Sequence, residues 1–216
     1  MLPHDLEPVA VRVLGSLIEK ELSTPDHYPL SLNALTSACN QSSNRDPVMS
    51  LDEGAVSQAI DGLRRQGLVR SIQAIGSRVP KYQHLLAEVG ELTRTELTVL
   101  CVLALRGPQT LAEVRTRAAR LLPADDPGDI DAALETLVAR APEPEVTRLP
   151  RRPGQKEVRY AHRLAGDVIY AVDDIPPATP GGSTDRIAAL EELTQELRNE
   201  VADLRAQLAA FRKQFE

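Results

Sequence analysis

A chain of 216 residues, 42% hydrophobic and 26% charged, has a globular composition with room for one large domain or two small ones. Aromatics make up 3% and Trp is absent, so the cores have to be built from Leu, Val, Ile and Ala. The formal net charge of −6 excludes a global basic field for gathering nucleic acid, and any DNA contact must rest on local patches.

The start, Met1-Leu2-Pro3-His4-Asp5, lacks the basic residues and apolar run of a signal peptide, and no stretch has the length and apolarity of a membrane span. Cys39 and Cys101 form neither a Cys-x-x-Cys pair nor a disulfide framework, so both are expected as reduced, helical, small apolar residues in a cytoplasmic protein.

A helical period covers residues 7–22, with Val9, Val13, Leu14, Leu17 and Ile18 on one face. Ser31 is placed to cap a short second helix. A third helix follows Asp52-Glu53-Gly54, buries Val56, Ala59, Ile60 and Leu63, and stops at Gly67. Residues 68–75 and 79–86 flank Gly76-Ser77-Arg78 and read as two strands and a turn. Three helices followed by a β-hairpin is the winged-helix order.

The same order then recurs. Residues 95–106 carry Leu97, Leu100, Val102, Leu103 and Leu105 and end at Gly107-Pro108. Thr110 caps a helix through Leu111, Val114, Ala118 and Leu121, and Ile130, Ala133, Leu134, Leu137 and Val138 form a third apolar stripe. Residues 146–149 and 157–160 make a hairpin around Pro150-Arg151-Arg152-Pro153-Gly154. Lys81-Tyr82-Gln83-His84-Leu85-Leu86 is echoed by Arg159-Tyr160-Ala161-His162-Arg163-Leu164, which marks an internal duplication.

Residues 165–184 form a linker broken by Pro176-Pro177, Pro180 and Gly181-Gly182, with an apolar run at Val168-Ile169-Tyr170-Ala171-Val172 that is suited to a further strand or to docking. From Asp185 the chain changes period. Ile187, Leu190, Thr194, Leu197, Val201, Leu204, Leu208, Phe211 and Phe215 step by three and four, the seam of a coiled coil. The expected fold is therefore mainly α with small β-hairpins (α+β): winged-helix domains at 1–91 and 92–164, a linker at 165–184 and a coiled-coil helix at 185–216. Ile187, Leu190, Leu197, Val201, Leu204, Leu208 and Phe211 are the expected contacts of a homodimer, the alternative being a helix folded back on its own chain.

Tyr28-Pro29-Leu30-Ser31-Leu32-Asn33 and Ala38-Cys39-Asn40-Gln41-Ser42-Ser43-Asn44-Arg45-Asp46-Pro47-Val48-Met49 resemble the YceH-like family of uncharacterised bacterial proteins. Leu17-Ile18-Glu19-Lys20, Gly76-Ser77-Arg78-Val79-Pro80-Lys81-Tyr82, Leu105-Arg106-Gly107-Pro108-Gln109-Thr110 and Arg117-Ala118-Ala119-Arg120 support the likeness, which runs through nearly the whole chain. The resemblance implies a tandem winged-helix fold and no established activity.

A winged helix binds DNA by laying its third helix in the major groove and its wing against phosphates. In the first unit Gln58 is a candidate for reading a base edge, Arg64 and Arg65 for phosphate, and Arg70, Arg78 and Lys81 for wing contacts. Asp52, Glu53 and Asp61 nearby favour an ordinary solvated helix face instead. In the second unit Asp129, Asp131 and Glu135 would repel phosphate, whereas Arg148, Arg151, Arg152, Lys156, Arg159 and Arg163 form the densest basic cluster. In the polar loop at 40–49, Asn40, Asn44 and Asp46 are expected to cap and turn the chain, and Arg45, its one cation, is open to an anion or to a structural role.

His84 and His162 occupy matching strand positions, which suggests packing before catalysis, and His4 and His27 have no carboxylate or Cys at metal-ligand spacing. There is no phosphate-binding Gly-rich loop and no hydrolase or metalloprotease signature. The expectation is a non-catalytic dimer without cofactors that associates with double-stranded DNA, with a protein-interaction scaffold as the alternative.

Overall fold

The structure is a computed structural model that describes residues 2–73, 79–151 and 157–166. The expected coiled-coil helix, almost all of the linker, and the turn residues Arg78, Arg152 and Lys156 lie outside the described residues. Among those described, seven α-helices and two small antiparallel sheets make a mixed α+β architecture. No helix there is long and apolar enough to cross a membrane.

Helix α1 (Pro8–Ser23) starts on Pro8, whose fixed φ suits the first helical position. Two-residue strand β1 (Leu30–Ser31) leads into α2 (Leu32–Cys39), capped as expected by the Ser31 hydroxyl, which accepts from the Ala34 amide at 3.3 Å. Asp52 accepts from the Ala55 amide at 2.7 Å to start α3 (Glu53–Arg65), which ends just before Gly67 at φ 73°. Strands β2 (Val69–Ile72) and β3 (Lys81–His84) then pair, and residues 86–90, the first of them expected to end the second strand, instead form a short helix, α4 (Leu86–Gly90).

The order recurs in α5 (Arg94–Arg106), β4 (Gln109–Thr110), α6 (Leu111–Ala118), α7 (Ile130–Ala139), β5 (Val146–Leu149) and β6 (Arg159–His162). Thr93 and Thr110 both complete reciprocal capping boxes, with Glu96 and Glu113. Each expected hairpin gains a third strand, giving the orders β1-β3-β2 and β4-β6-β5. Two residues are too short to show strand alternation in sequence. In matching register, Tyr82 lies opposite Leu30 and Tyr160 opposite Gln109, while His84 lies opposite Val69 and His162 opposite Val146.

The two halves do not keep separate cores. A single hydrophobic cluster runs from Leu2 to Leu164, and both halves belong to one compact unit, Met1–Val168. Its centre is the packing of α1 on α5, the most extensive contact between elements. Every residue of α1 from Ala10 to Glu19 and of α5 from Glu96 to Leu105 is buried, so neither helix keeps a solvent face along those stretches. The helices meet at Gly15, where an added Cβ would stand 2.9 Å from Leu105 Cγ and Cδ2. Cys101, buried with its thiol pKa pushed up by desolvation, donates from Sγ to the Gly15 carbonyl at 3.5 Å. The N-terminal segment closes the far side: the Leu6 amide donates to Leu164 O at 2.9 Å, and His4 sits between Glu143 (2.7 Å) and Glu145 (3.1 Å).

The repeated histidines serve different ends. His84 accepts the Leu86 amide at Nδ1 (3.2 Å) and lies 2.5 Å from Glu21 through Nε2. His162 has no partner at its buried Nδ1, and desolvation lowers its pKa to about 4.

Gly15→Val should destabilise the chain by about 1–3 kcal/mol through overpacking, and Leu105→Ala in the same chain should recover part of that loss. Denaturant unfolding of the two single variants and the double checks whether the halves share one interior. His162 gives a pH signature: an unfolded imidazole titrates near 6.5, whereas the folded one stays neutral down to about 4. Its contribution is therefore fully present above about pH 6.5 and is lost as pH falls toward 4, by about 2 kcal/mol between about pH 7 and pH 5. His162→Gln should flatten that part of the stability curve.

Candidate nucleic-acid interface

On the first unit, Gln58, Arg64, Arg65, Arg70 and Lys81 are all exposed. Arg64 pairs with Asp61 at 3.4 Å, one turn back on α3. Arg70 faces the Gln83 amide, its cross-strand partner, and with that amide turned so that its oxygen meets the guanidinium, Nη2 (2.6 Å) and Nε (3.0 Å) donate to it. Lys81 lies opposite Ile72 at the end of the hairpin where its two strands connect. Gln58 lines a surface groove with Asp5, Glu7 and Gln66. That flank is acidic, which opposes phosphate at the side of α3 nearest the chain start.

The second unit is more neutral than its sequence suggests. Arg148 stands 5.8 Å over the Tyr160 ring and binds the Glu135 carboxylate, and Arg115 binds Asp131. Asp129 is committed as the cap of α7, accepting from the Asp131 and Ala132 amides. The acidic helix and the basic hairpin therefore offset each other. Arg159 is half-buried with its Nε out of reach of a partner, and Arg163 donates to Pro144 O at 3.2 Å. Arg151 is exposed.

Arg45 is enclosed and out of reach of a phosphate backbone. Its side chain is 0% exposed. Nη1 and Nη2 grip the Glu19 carboxylate at 3.0 and 2.6 Å, while the remaining bonds go to the Ala38 and Asn44 carbonyls and the Gln41 amide oxygen. No donor is left over for a ligand. Arg12, also buried, donates to Cys39 O (3.0 Å) and Pro47 O (2.6 Å), and Asn40 exchanges two hydrogen bonds with the Leu51 backbone. The Asp46 amide reaches Leu105 O at 2.9 Å. The loop at 40–49 is thus a strut between α1, α2 and α5, and the roles expected for Asn40 and Asp46 are structural ones. Its polarity reflects carbonyls that have to be matched inside the protein.

A feature that pattern reading missed lies beside this strut. Arg106, Arg117 and Arg120 converge on a small open recess between α5, α6 and Asn44, with Leu105 and Leu121 in its lining. Asn44, at φ 59°, accepts from Arg106 Nη2. Gln109 is 1% exposed, donates to Val102 O and Gly107 O at 3.0 and 3.2 Å, and accepts from Arg117. The sequence signal was present in the pair Arg117 and Arg120, three residues apart, but the third arginine comes from another helix. Among the described residues, no group of three His, Cys, Asp or Glu could hold a metal.

Removing Arg45 strands a buried carboxylate. Arg45→Ala should cost about 3–5 kcal/mol, and Arg45→Lys should restore only part of that, because one ammonium cannot replace a planar fork of five donors. Denaturant unfolding of the three proteins measures both effects.

Residues 6–155 match the sequence family described as a protein of unknown function, DUF480. The UPF0502 protein of Pelobacter propionicus is 52% identical over 217 residues, with 98% of each chain covered. The UPF0502 protein of Geobacter sulfurreducens is 50% identical over 219 residues, again with 98% of each covered. That of Vibrio atlanticus is 44% identical over 208 residues, covering 93% of this chain and 95% of its own. The chain belongs to this DUF480/UPF0502 family of bacterial proteins, the one that its Asn-Arg-Asp-Pro-Val-Met segment resembles.

Proposed function

We propose that the protein is a non-catalytic, DNA-associated dimer in which each half is a winged helix and the C-terminal helix pairs two chains. The observation that carries this reading is topological. In both halves a strand precedes the second helix, the third helix follows, and the last two strands form a hairpin with the first strand added beside its second arm. That is the arrangement in which a third helix and a wing address DNA together. Arg65, Arg70 and Lys81 are exposed on that helix and hairpin, so the first unit is the better candidate to hold the duplex. The unbroken seam from Ile187 to Phe215 supports the pairing.

The scaffold alternative draws on the second unit, where Arg148–Glu135 and Arg115–Asp131 cancel charge across the equivalent surface. A surface of matched charges suits a protein partner better than a phosphate backbone.

One titration separates the readings. Full-length protein, first sized by light scattering, is titrated with mixed-sequence duplex DNA at low and at moderate salt. The DNA reading expects a dimer whose affinity falls steeply with salt, a uniform loss in Arg65→Glu with Lys81→Glu, and altered sequence preference in Gln58→Ala. No binding at low salt overturns it in favour of the scaffold, and a monomer at tens of micromolar, taken as about that range, overturns the pairing.

A further inference from the structure

The recess between α5, α6 and the Asn44 turn carries more positive charge than the fold needs. Arg45, Arg106, Arg117 and Arg120 bear on it, against the carboxylates of Glu19 and Glu113. Both carboxylates are already engaged: Glu19 by the bidentate grip of Arg45, Glu113 by Arg117 at 3.3 Å and by the Thr110 amide at 3.0 Å. Arg120 makes no ion pair among the described residues. The guanidinium of Arg106 is held below its ordinary pKa by burial and then by repulsion from Arg117 and Arg120. In a chain of net charge −6, this cluster is a local exception that costs electrostatic energy unless an anion offsets it.

The duplication shows that the arginines are not demanded by the fold. Leu30-Ser31 and Gln109-Thr110 are equivalent in register and in capping the next helix. That equivalence sets Ala38 against Arg117 and Gln41 against Arg120, and Leu30 against the buried Gln109. The first half folds around an apolar residue where the second buries an amide that orients Arg117. Burying Gln109 with both ends of its amide bonded is a polar arrangement whose effect is to aim a guanidinium into the recess.

We propose that this recess is a binding site for a small organic oxyanion, a phosphate monoester or carboxylate. Its charged end meets Arg106, Arg117 and Arg120, and its apolar part covers Leu105 and Leu121. Planar forked donors suit either oxyanion, and the mixed lining favours an organic ligand over a bare ion. The site does not depend on DNA binding. It joins the loop of the first half to helices of the second, so an occupant stiffens the junction between them.

The test uses full-length protein, inorganic phosphate and phenyl phosphate as probes, and calorimetric titration at constant ionic strength balanced with chloride. Phenyl phosphate should bind more tightly than inorganic phosphate and should raise Tm. Arg120→Gln should weaken it roughly tenfold while leaving the unliganded protein at least as stable, since a repulsion is relieved. Arg117→Ala with Arg120→Gln, which restores the first half's residues, should abolish binding. No heat with either probe, or undiminished binding in Arg120→Gln, overturns the site. Equal affinity for the two probes overturns its organic character.

Discussion

Glu19 is drawn out of water because α1 is covered on every side, and a carboxylate in that position has to be matched by charge and by hydrogen bonds. The match comes from Arg45, on a loop twenty-six residues further along the chain. Meeting that requirement fixes the loop. Arg45 also takes the carbonyl of Ala38 at the end of α2, Arg12 takes Cys39 and Pro47, and the next residue, Asp46, bonds the last turn of α5. The ion pair thus sets the loop that borders the recess holding Arg106, Arg117 and Arg120, beside the α1–α5 packing that joins the halves.

Around it the duplicated halves share a frame and differ in chemistry. The caps of the second and third helices, the strand register and the two tyrosines coincide. The residues that diverge are those whose surroundings differ: His84 has Glu21 to face, while His162 is buried neutral. Leu30 packs as apolar filling, and its counterpart Gln109 joins a polar chain that ends on Arg117. Duplication followed by local divergence explains how a fold of small helices acquired one polar junction on one side only.

Much of this was legible in the residues. The apolar stripes, the caps at Ser31 and Thr110, and the equivalence of the two Tyr-x-His strands are local signals, and the structure keeps them. The Asn-Arg-Asp-Pro-Val-Met segment led to the family. What pattern could not carry is tertiary. Arg45 stays open in sequence between an anion contact and a structural role because nothing near it reveals that Glu19 lies inside. Strands β1 and β4 are two residues each and exist only because a hairpin arm is there to pair with them. His4 finds Glu143 and Glu145 from the other end of the unit. The packing of α1 on α5 within one hydrophobic cluster is likewise invisible in pattern, for each stripe reads equally well as the inside of a separate domain.

The strap formed by the first residues has a consequence for the order of events as the chain is made. Leu6 bonds Leu164, and His4 lies against Glu143 and Glu145, so a segment made before the helices of the compact unit is tied down by residues synthesised at the unit's end. Until α5 emerges, Gly15 and its neighbours on α1 have no surface to pack on, and the strap itself stays open until β6 is complete. Closing so long a loop is slow compared with forming the local helices. The nascent first half therefore passes through a period with apolar surface uncovered, the state that chaperones meet on a translating ribosome.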